Sequence, residues 1–166
     1  DPEHIGAHGT SAGGNLAALL GTTDAAAGFD IGEYLDESSR VQAVVDMYGP
    51  TELTQMDDST RFGQLVVQFS FGGSEKLRDG GSPINYVSPD SAAFLILHGA
   101  DDQLVRPHHS QDLAQRLQAA GVPVSLLVVQ GTGHSMETPG QQPSPAAVRA
   151  MCVDFFGRAL APGSPL

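Results

Sequence analysis

The spacing of hydrophobic positions changes several times along this chain, and each change marks an element. Residues 4–8 read as a short strand that runs straight into Gly9-Thr10-Ser11-Ala12-Gly13-Gly14. Leu16, Leu19 and Leu20 then recur at i, i+3 and i+4, the spacing of a helix, with Gly21 placed to stop it. Residues 41–47 are rich in β-branched side chains and predict a strand ended by Gly49-Pro50. Phe94-Leu95-Ile96-Leu97 is apolar at every position, as in a parallel strand buried on both faces. Pro107 opens a helix carrying Leu113 and Leu117, and Gly121 closes it. Residues 124–129 form the next buried strand. Ser144-Pro145 begins a last helix, with Val148, Met151, Cys152 and Phe155 on one face.

Residues 50–91 break this rhythm. They are polar and Gly-rich, with one amphipathic patch of Phe62, Leu65, Val66 and Phe69 at helical spacing. A stretch this long without a strong strand reads as a lid-like insertion or a surface excursion. The full order is strand, helix, strand, insertion, strand, helix, strand, helix. That is an α/β pattern with a mostly parallel sheet flanked by helices, one domain over residues 1–166.

Composition narrows the functions available. Nineteen acidic residues against eight Lys and Arg leave a net charge of −11, which argues against a nucleic-acid surface. No apolar run approaches the length needed to cross a bilayer. The single Cys152 excludes an intramolecular disulfide and a Cys-rich zinc cage, and its place on an apolar helix face reads as inert core. No His/Asp/Glu grouping has metal-ligand spacing, so neither a metal nor a cofactor is expected. The opening Asp1-Pro2-Glu3-His4 reads as a turn before a strand, as in the middle of a longer protein, and the tail from Pro162 is expected to fray.

Chemistry concentrates at three strand ends. Gly9-Thr10-Ser11-Ala12-Gly13 is a G-x-S-x-G turn between a strand and a helix. Such a turn exposes its central Ser, and Cβ atoms at Gly9 or Gly13 are expected to clash with neighbouring backbone. The N–H of Ala12 would face the same space at a helix N-terminus, as an oxyanion donor. A Ser hydroxyl needs a base, and the base an orienting acid. His98-Gly99-Ala100-Asp101-Asp102 follows one buried strand and carries two acids; Gly131-Thr132-Gly133-His134 follows the next. The carboxyl ends of parallel strands are where open α/β sheets build sites. The remaining histidines get structural readings. His98 is expected to bond backbone at a strand end, His108 and His109 to be solvated in the first turn of a helix, and His4 and His8 to flank the first strand, with packing the favoured role for His8.

These stretches, together with Ser82-Pro83-Ile84-Asn85-Tyr86-Val87-Ser88, resemble the C-terminal half of an α/β-hydrolase. The similarity is greatest to the carboxylesterase branch that includes feruloyl/acetyl-xylan esterases and hormone-sensitive-lipase-like enzymes. The resemblance implies a serine esterase with Ser11 as nucleophile, Asp102 as the acid (Asp101 second) and His134 as base. It also implies that preceding strands and one oxyanion-donating loop, often His-Gly-Gly-Gly, belong to a part of the fold absent from this sequence. Short acyl or aryl esters are the implied substrates, with Phe62, Val66 and Phe69 expected to form an apolar acyl wall in a lid over Ser11. Two other readings stay open: the catalytic domain of a prolyl-oligopeptidase-type serine peptidase, and a truncated, non-catalytic hydrolase fragment. The first strand is expected to present an open edge. A homo-oligomer, or association with an N-terminal half, is therefore expected instead of a free monomer.

Overall fold

The apolar runs fold as four parallel strands, β1 (Gly6–Thr10), β2 (Ala43–Met47), β3 (Ala93–Gly99) and β4 (Val124–Val129). The computed structural model describes residues 1–56, 73–161 and 163. The strands stand side by side in chain order. Thr10 lies opposite Met47, and Met47 opposite Leu97, so the strand ends that carry the chemistry emerge along one edge. Among the described residues four helices accompany them: α1 (Ala12–Thr22), α2 (Glu75–Gly80), α3 (His108–Ala119) and α4 (Pro145–Ala159). This is the parallel α/β arrangement that the order of elements predicts. Among the described residues, no helix is long and apolar enough to cross a membrane.

Period-2 alternation sorts the side chains of β3 into two cores. Phe94 and Ile96 face Ala17 and Ala18 of α1 and Leu113 and Leu117 of α3. Leu95 and Leu97 face Val148 and Cys152 of α4 on the other side of the sheet. Burying each of Leu113 and Leu117 stabilises the fold by roughly 1.5–3 kcal/mol. Helix ends follow local chemistry. Ser144 caps α4 by accepting from the N–H of Ala147, with Pro145 at its start. Gly121, at φ 79°, ends α3 in the left-handed conformation that glycine adopts without strain.

Several expectations shift. The first strand begins two residues late, because Asp1 accepts from the backbone N–H of His4 and pairs with its Nδ1, holding residues 1–4 in a turn. It then runs to Thr10, the last residue before the elbow. Met151 is exposed, although Val148 and Cys152 of the same helix are buried.

The largest shift concerns α1. Leu16 and Leu20 are 62% and 43% exposed, while Gly14, Ala17, Ala18 and Gly21 are buried. The helix lies so close to the sheet that a Cβ on Gly21 would meet Val44 Cγ2 at 2.5 Å and Phe94 Cζ at 3.0 Å. Gly21 is thus a packing position inside the helix and not its stop. The helix ends two residues later, where the Thr22 and Thr23 hydroxyls donate to the carbonyls of Ala18 and Leu19.

The described flanks of the 50–91 segment are built into the domain. Short 3-10 turns at Leu53–Gln55 and Pro83–Tyr86 bury Leu53 and Pro83. The Leu53 N–H donates to Ser82 Oγ at 2.8 Å. Asn15 of α1 donates through Nδ2 to the carbonyls of Pro50 (2.8 Å) and Gly81 (3.0 Å), tying both flanks to one helix.

The inverted burial of α1 yields a direct test. Ala18→Leu, which overfills the helix–sheet gap, is expected to destabilise the chain by about 1–3 kcal/mol. Leu16→Gln, on the open face, is expected to change stability by less than about 0.5 kcal/mol. Urea denaturation of the two variants checks this, and the reverse ranking would contradict the packing described.

Candidate active site

Ser11 sits on the one-residue turn between β1 and α1. Its backbone adopts φ 54° and ψ −121°, a conformation that costs a non-glycine residue on the order of 1–3 kcal/mol. Two backbone bonds hold it there: its N–H donates to the Met47 carbonyl at 2.9 Å, and its carbonyl accepts from the Asn15 N–H at 3.1 Å. A Cβ on Gly9 would run into the backbone of Gly13 and Gly14, so position 9 admits only glycine. At Gly13 a Cβ would meet nothing, against the sequence expectation. The second obligatory small residue is Gly14, whose Cβ would strike Asp46 Oδ1 and stand 3.0 Å from Gly49 Cα.

Asp102 follows β3 and His134 follows β4. The Asp101 N–H donates to the Thr132 carbonyl at 3.0 Å, which locks the two loops together. His134 Nδ1 lies 2.7 Å from Asp102 Oδ2, and His134 Nε2 lies 2.8 Å from Ser11 Oγ. The structure thus brings Ser11, His134 and Asp102 together, and it leaves Asp101 exposed. Ala12 is the first residue of α1, so its N–H has no acceptor within the helix. Phe62, Val66 and Phe69 lie outside the described residues.

Asp102 is buried, and burial alone would raise its pKa. Donors more than offset this. His134 and His98 face Oδ2, and the N–H groups of Leu104 (2.9 Å) and Val105 (3.0 Å) donate to Oδ1. The carboxyl is held well below the usual carboxylate range and is an anion at neutral pH. It therefore only accepts, which places the His134 hydrogen on Nδ1 and leaves Nε2 free to accept from the Ser11 hydroxyl.

Other residues at the site were not legible as contributors. The Tyr48 ring packs edge-on against His134, with centroids 4.6 Å apart. Its own backbone is at φ 46°, and its N–H donates to the Leu97 carbonyl at 2.8 Å. The only sequence signal was its place at the end of a strand, beside Gly49-Pro50. His98 is fully buried and bonds the Val105 carbonyl, as expected, but also reaches Ser110 and Asp102. His109 is buried, not solvated. Its carbonyl accepts from Thr51 Oγ at 2.6 Å, and burial lowers its pKa to about 4. His8 is exposed on β1 instead of packed.

Asp46 is fully buried behind the elbow. Its Oδ1 accepts from the Gly49 N–H at 3.0 Å, while Oδ2 has no hydrogen-bond partner. Burial raises its pKa to about 6, against the opposing effects of the Gly49 bond and of His98.

A family model described as BD-FAE matches residues 1–117. The probable carboxylic ester hydrolase LipM of Mycobacterium tuberculosis is 29% identical over 163 residues, covering 94% of this chain and 37% of that protein. Among solved structures, a truncated form of a carbohydrate esterase from gut microbiota superposes with a TM-score of 0.67 at 31% identity, over 81% of this chain and 53% of that one. An esterase from Thermogutta terrifontis gives a TM-score of 0.75 at 22% identity, over 99% of this chain and 59% of that one, which establishes the shared fold. The chain spans a little over a third of the length of the curated relatives it matches.

Asp46 generates a pH prediction. Its folded pKa, about 6, lies above the ordinary value of 3.8, so folding favours the protonated form. The stability this contributes is fully present below about pH 4 and is lost as pH rises through about 6. Asp46→Asn should lack that loss. Urea titrations from pH 4 to 7.5 should show the variant gaining on the wild type by on the order of 3 kcal/mol. A constant difference across that range would contradict the assignment.

Proposed function

Because the chain belongs to the BD-FAE family, we propose that it carries the catalytic centre of a serine carboxylic-ester hydrolase. The observation that carries this reading is the continuous relay from Asp102 through His134 to a Ser11 held on a strained elbow. The ester-hydrolase names of its relatives point to the same chemistry.

In this reading Ser11 Oγ attacks the ester carbonyl carbon while His134 Nε2 takes its proton. Asp102 stabilises the imidazolium that forms, without itself accepting a proton. The Ala12 N–H, at the positive end of α1, donates to the developing oxyanion. Collapse of the tetrahedral intermediate expels the alcohol, which leaves with the proton from His134. A water, deprotonated by His134, then hydrolyses the acyl-Ser11 ester and regenerates the hydroxyl. Each step uses side chains and backbone alone. The substrates are short acyl or aryl esters.

The reading extends to assembly. Among the described residues β1 pairs only with β2, and Leu16, Leu20, Ile31, Tyr34 and Leu35 are all exposed. An unpaired strand edge together with several exposed apolar side chains favours association. The chain accordingly works as a homo-oligomer or joined to an N-terminal half that completes the sheet.

Labelling, turnover and mass measurements test these statements. A fluorophosphonate probe should label the wild type and leave Ser11→Ala unlabelled, and Asp102→Asn should hydrolyse p-nitrophenyl acetate on the order of 10³–10⁴ times more slowly. A folded wild type that takes no label would make the site a non-catalytic relic, and preferential cleavage of prolyl peptides would favour a peptidase. Light scattering should return a mass above 17.3 kDa; a fully active monomer of that mass would refute the assembly.

A further inference from the structure

We propose that His98 is a positioning residue for this reaction: its Nε2–H holds Asp102 Oδ2 in the orientation that meets His134. The proposal rests on the serine-hydrolase reading of the site, and it adds a residue which that reading does not use.

The geometry fixes the hydrogens of His98. Its Nε2 lies 2.8 Å from the Val105 carbonyl and 3.3 Å from Asp102 Oδ2. Both partners are acceptors, one a carbonyl and the other an anion, so Nε2 must carry the hydrogen. Its Nδ1 lies 2.6 Å from Ser110 Oγ. With the hydrogen on Nε2, a neutral imidazole accepts at Nδ1, and the Ser110 hydroxyl donates to it. Ser110, on α3, thereby supports the tautomer that the acceptors at Nε2 select.

His98, Asp102 and Ser110 are all buried, so no water stands ready to replace a lost partner. The Asp102 carboxylate takes two backbone N–H groups on Oδ1, and on Oδ2 the imidazole of His134 at 2.7 Å, with His98 Nε2 standing 3.3 Å away. The backbone donors anchor only Oδ1. With that oxygen as a pivot, the direction of Oδ2 rests on His134 and on His98, whose single Nε2–H is shared between the Val105 carbonyl and Oδ2. One ring thus fastens the carboxylate and the loop that carries it.

The test uses His98→Leu, His98→Gln and Ser110→Ala, each with two readouts. One is the low-field proton resonance of His134 Nδ1–H, recorded without substrate. The other is the steady-state hydrolysis of p-nitrophenyl acetate. His98→Leu should lower kcat by about 10- to 100-fold, the equivalent of one hydrogen bond to a charged group, with KM unchanged within about twofold. It should also move or broaden the His134 resonance. His98→Gln, whose amide nitrogen can replace Nε2 as donor, should recover most of the loss, and Ser110→Ala should fall between. A folded His98→Leu with wild-type kcat and resonance overturns the proposal. So does a folded His98→Gln no better than His98→Leu, since that marks a purely packing role. If His98→Leu fails to fold, Ser110→Ala decides: reduced kcat supports the proposal and wild-type kcat overturns it. If the wild type hydrolyses nothing, the functional reading fails separately. The resonance then decides alone, its movement in the variants supporting the His98 contact and its constancy overturning it.

Discussion

Backbone contact between the end of β1 and the first turn of α1 governs this site. The chain passes from strand to helix through a single residue, which brings position 9 against the backbone of residues 13 and 14. Only a glycine fits at position 9, and only the absence of a Cβ at position 14 lets α1 settle against Asp46 and Gly49. The strain at Ser11 is the counterpart of that closeness, because the residue at the apex must take a positive φ. Bonds to Met47 and Asn15 sustain it, so a neighbouring strand and the following helix both hold Ser11 in place.

A second organising element is the Asp102 carboxylate. It collects donors from its own loop, from the end of β3 and from the loop after β4. The first two lie within four residues of Asp102, whereas His134 is 32 residues away and arrives because parallel strands deliver both loops to one edge. The result is an acceptor, charged at neutral pH, that fixes the tautomer of His134 and thereby the state of the Ser11 hydroxyl. Asp46, one strand away, shows the opposite outcome for a buried carboxyl. With one bonded oxygen and one without a partner, its charge is poorly supported and its pKa rises. The number of donors separates the two cases, since both groups are buried.

Much of this was legible in the sequence, for physical reasons. Strands apolar on both faces, such as Phe94-Leu95-Ile96-Leu97, signal a sheet sandwiched between helices, and that is where they lie. The three polar residues at strand ends stand out because little else in those loops carries chemistry. Helix α1 misled, because periodicity identifies a stripe without saying what covers it. The leucine stripe at 16 and 20 is open, and the sheet takes the small stripe at 14, 18 and 21, which in sequence reads only as weak helix. His109 and Asp46 were missed for a related reason. Their burial comes from long-range contacts, His109 through Thr51 and Asp46 through Gly14, which no local pattern encodes. Asp101 and Asp102 were inseparable by composition, and only the direction of the turn decides between them.

The small stripe of α1 also has a meaning for drift and engineering. Ala12 begins the same helix that Ala18 and Gly21 seat on the sheet, so the gap beneath the helix bears on where the Ala12 amide stands beside Ser11. Side chains that prop the far end upward tilt the near end, like a lever on a fulcrum. Positions 18 and 21, more than a helical turn from Ser11, are therefore under two separate restraints. One is how tightly the layers stack, and the other is where a hydrogen-bond donor points. Variants that satisfy the first by repacking Val44 or Phe94 would still be filtered by the second, whereas the leucine face can change without touching either.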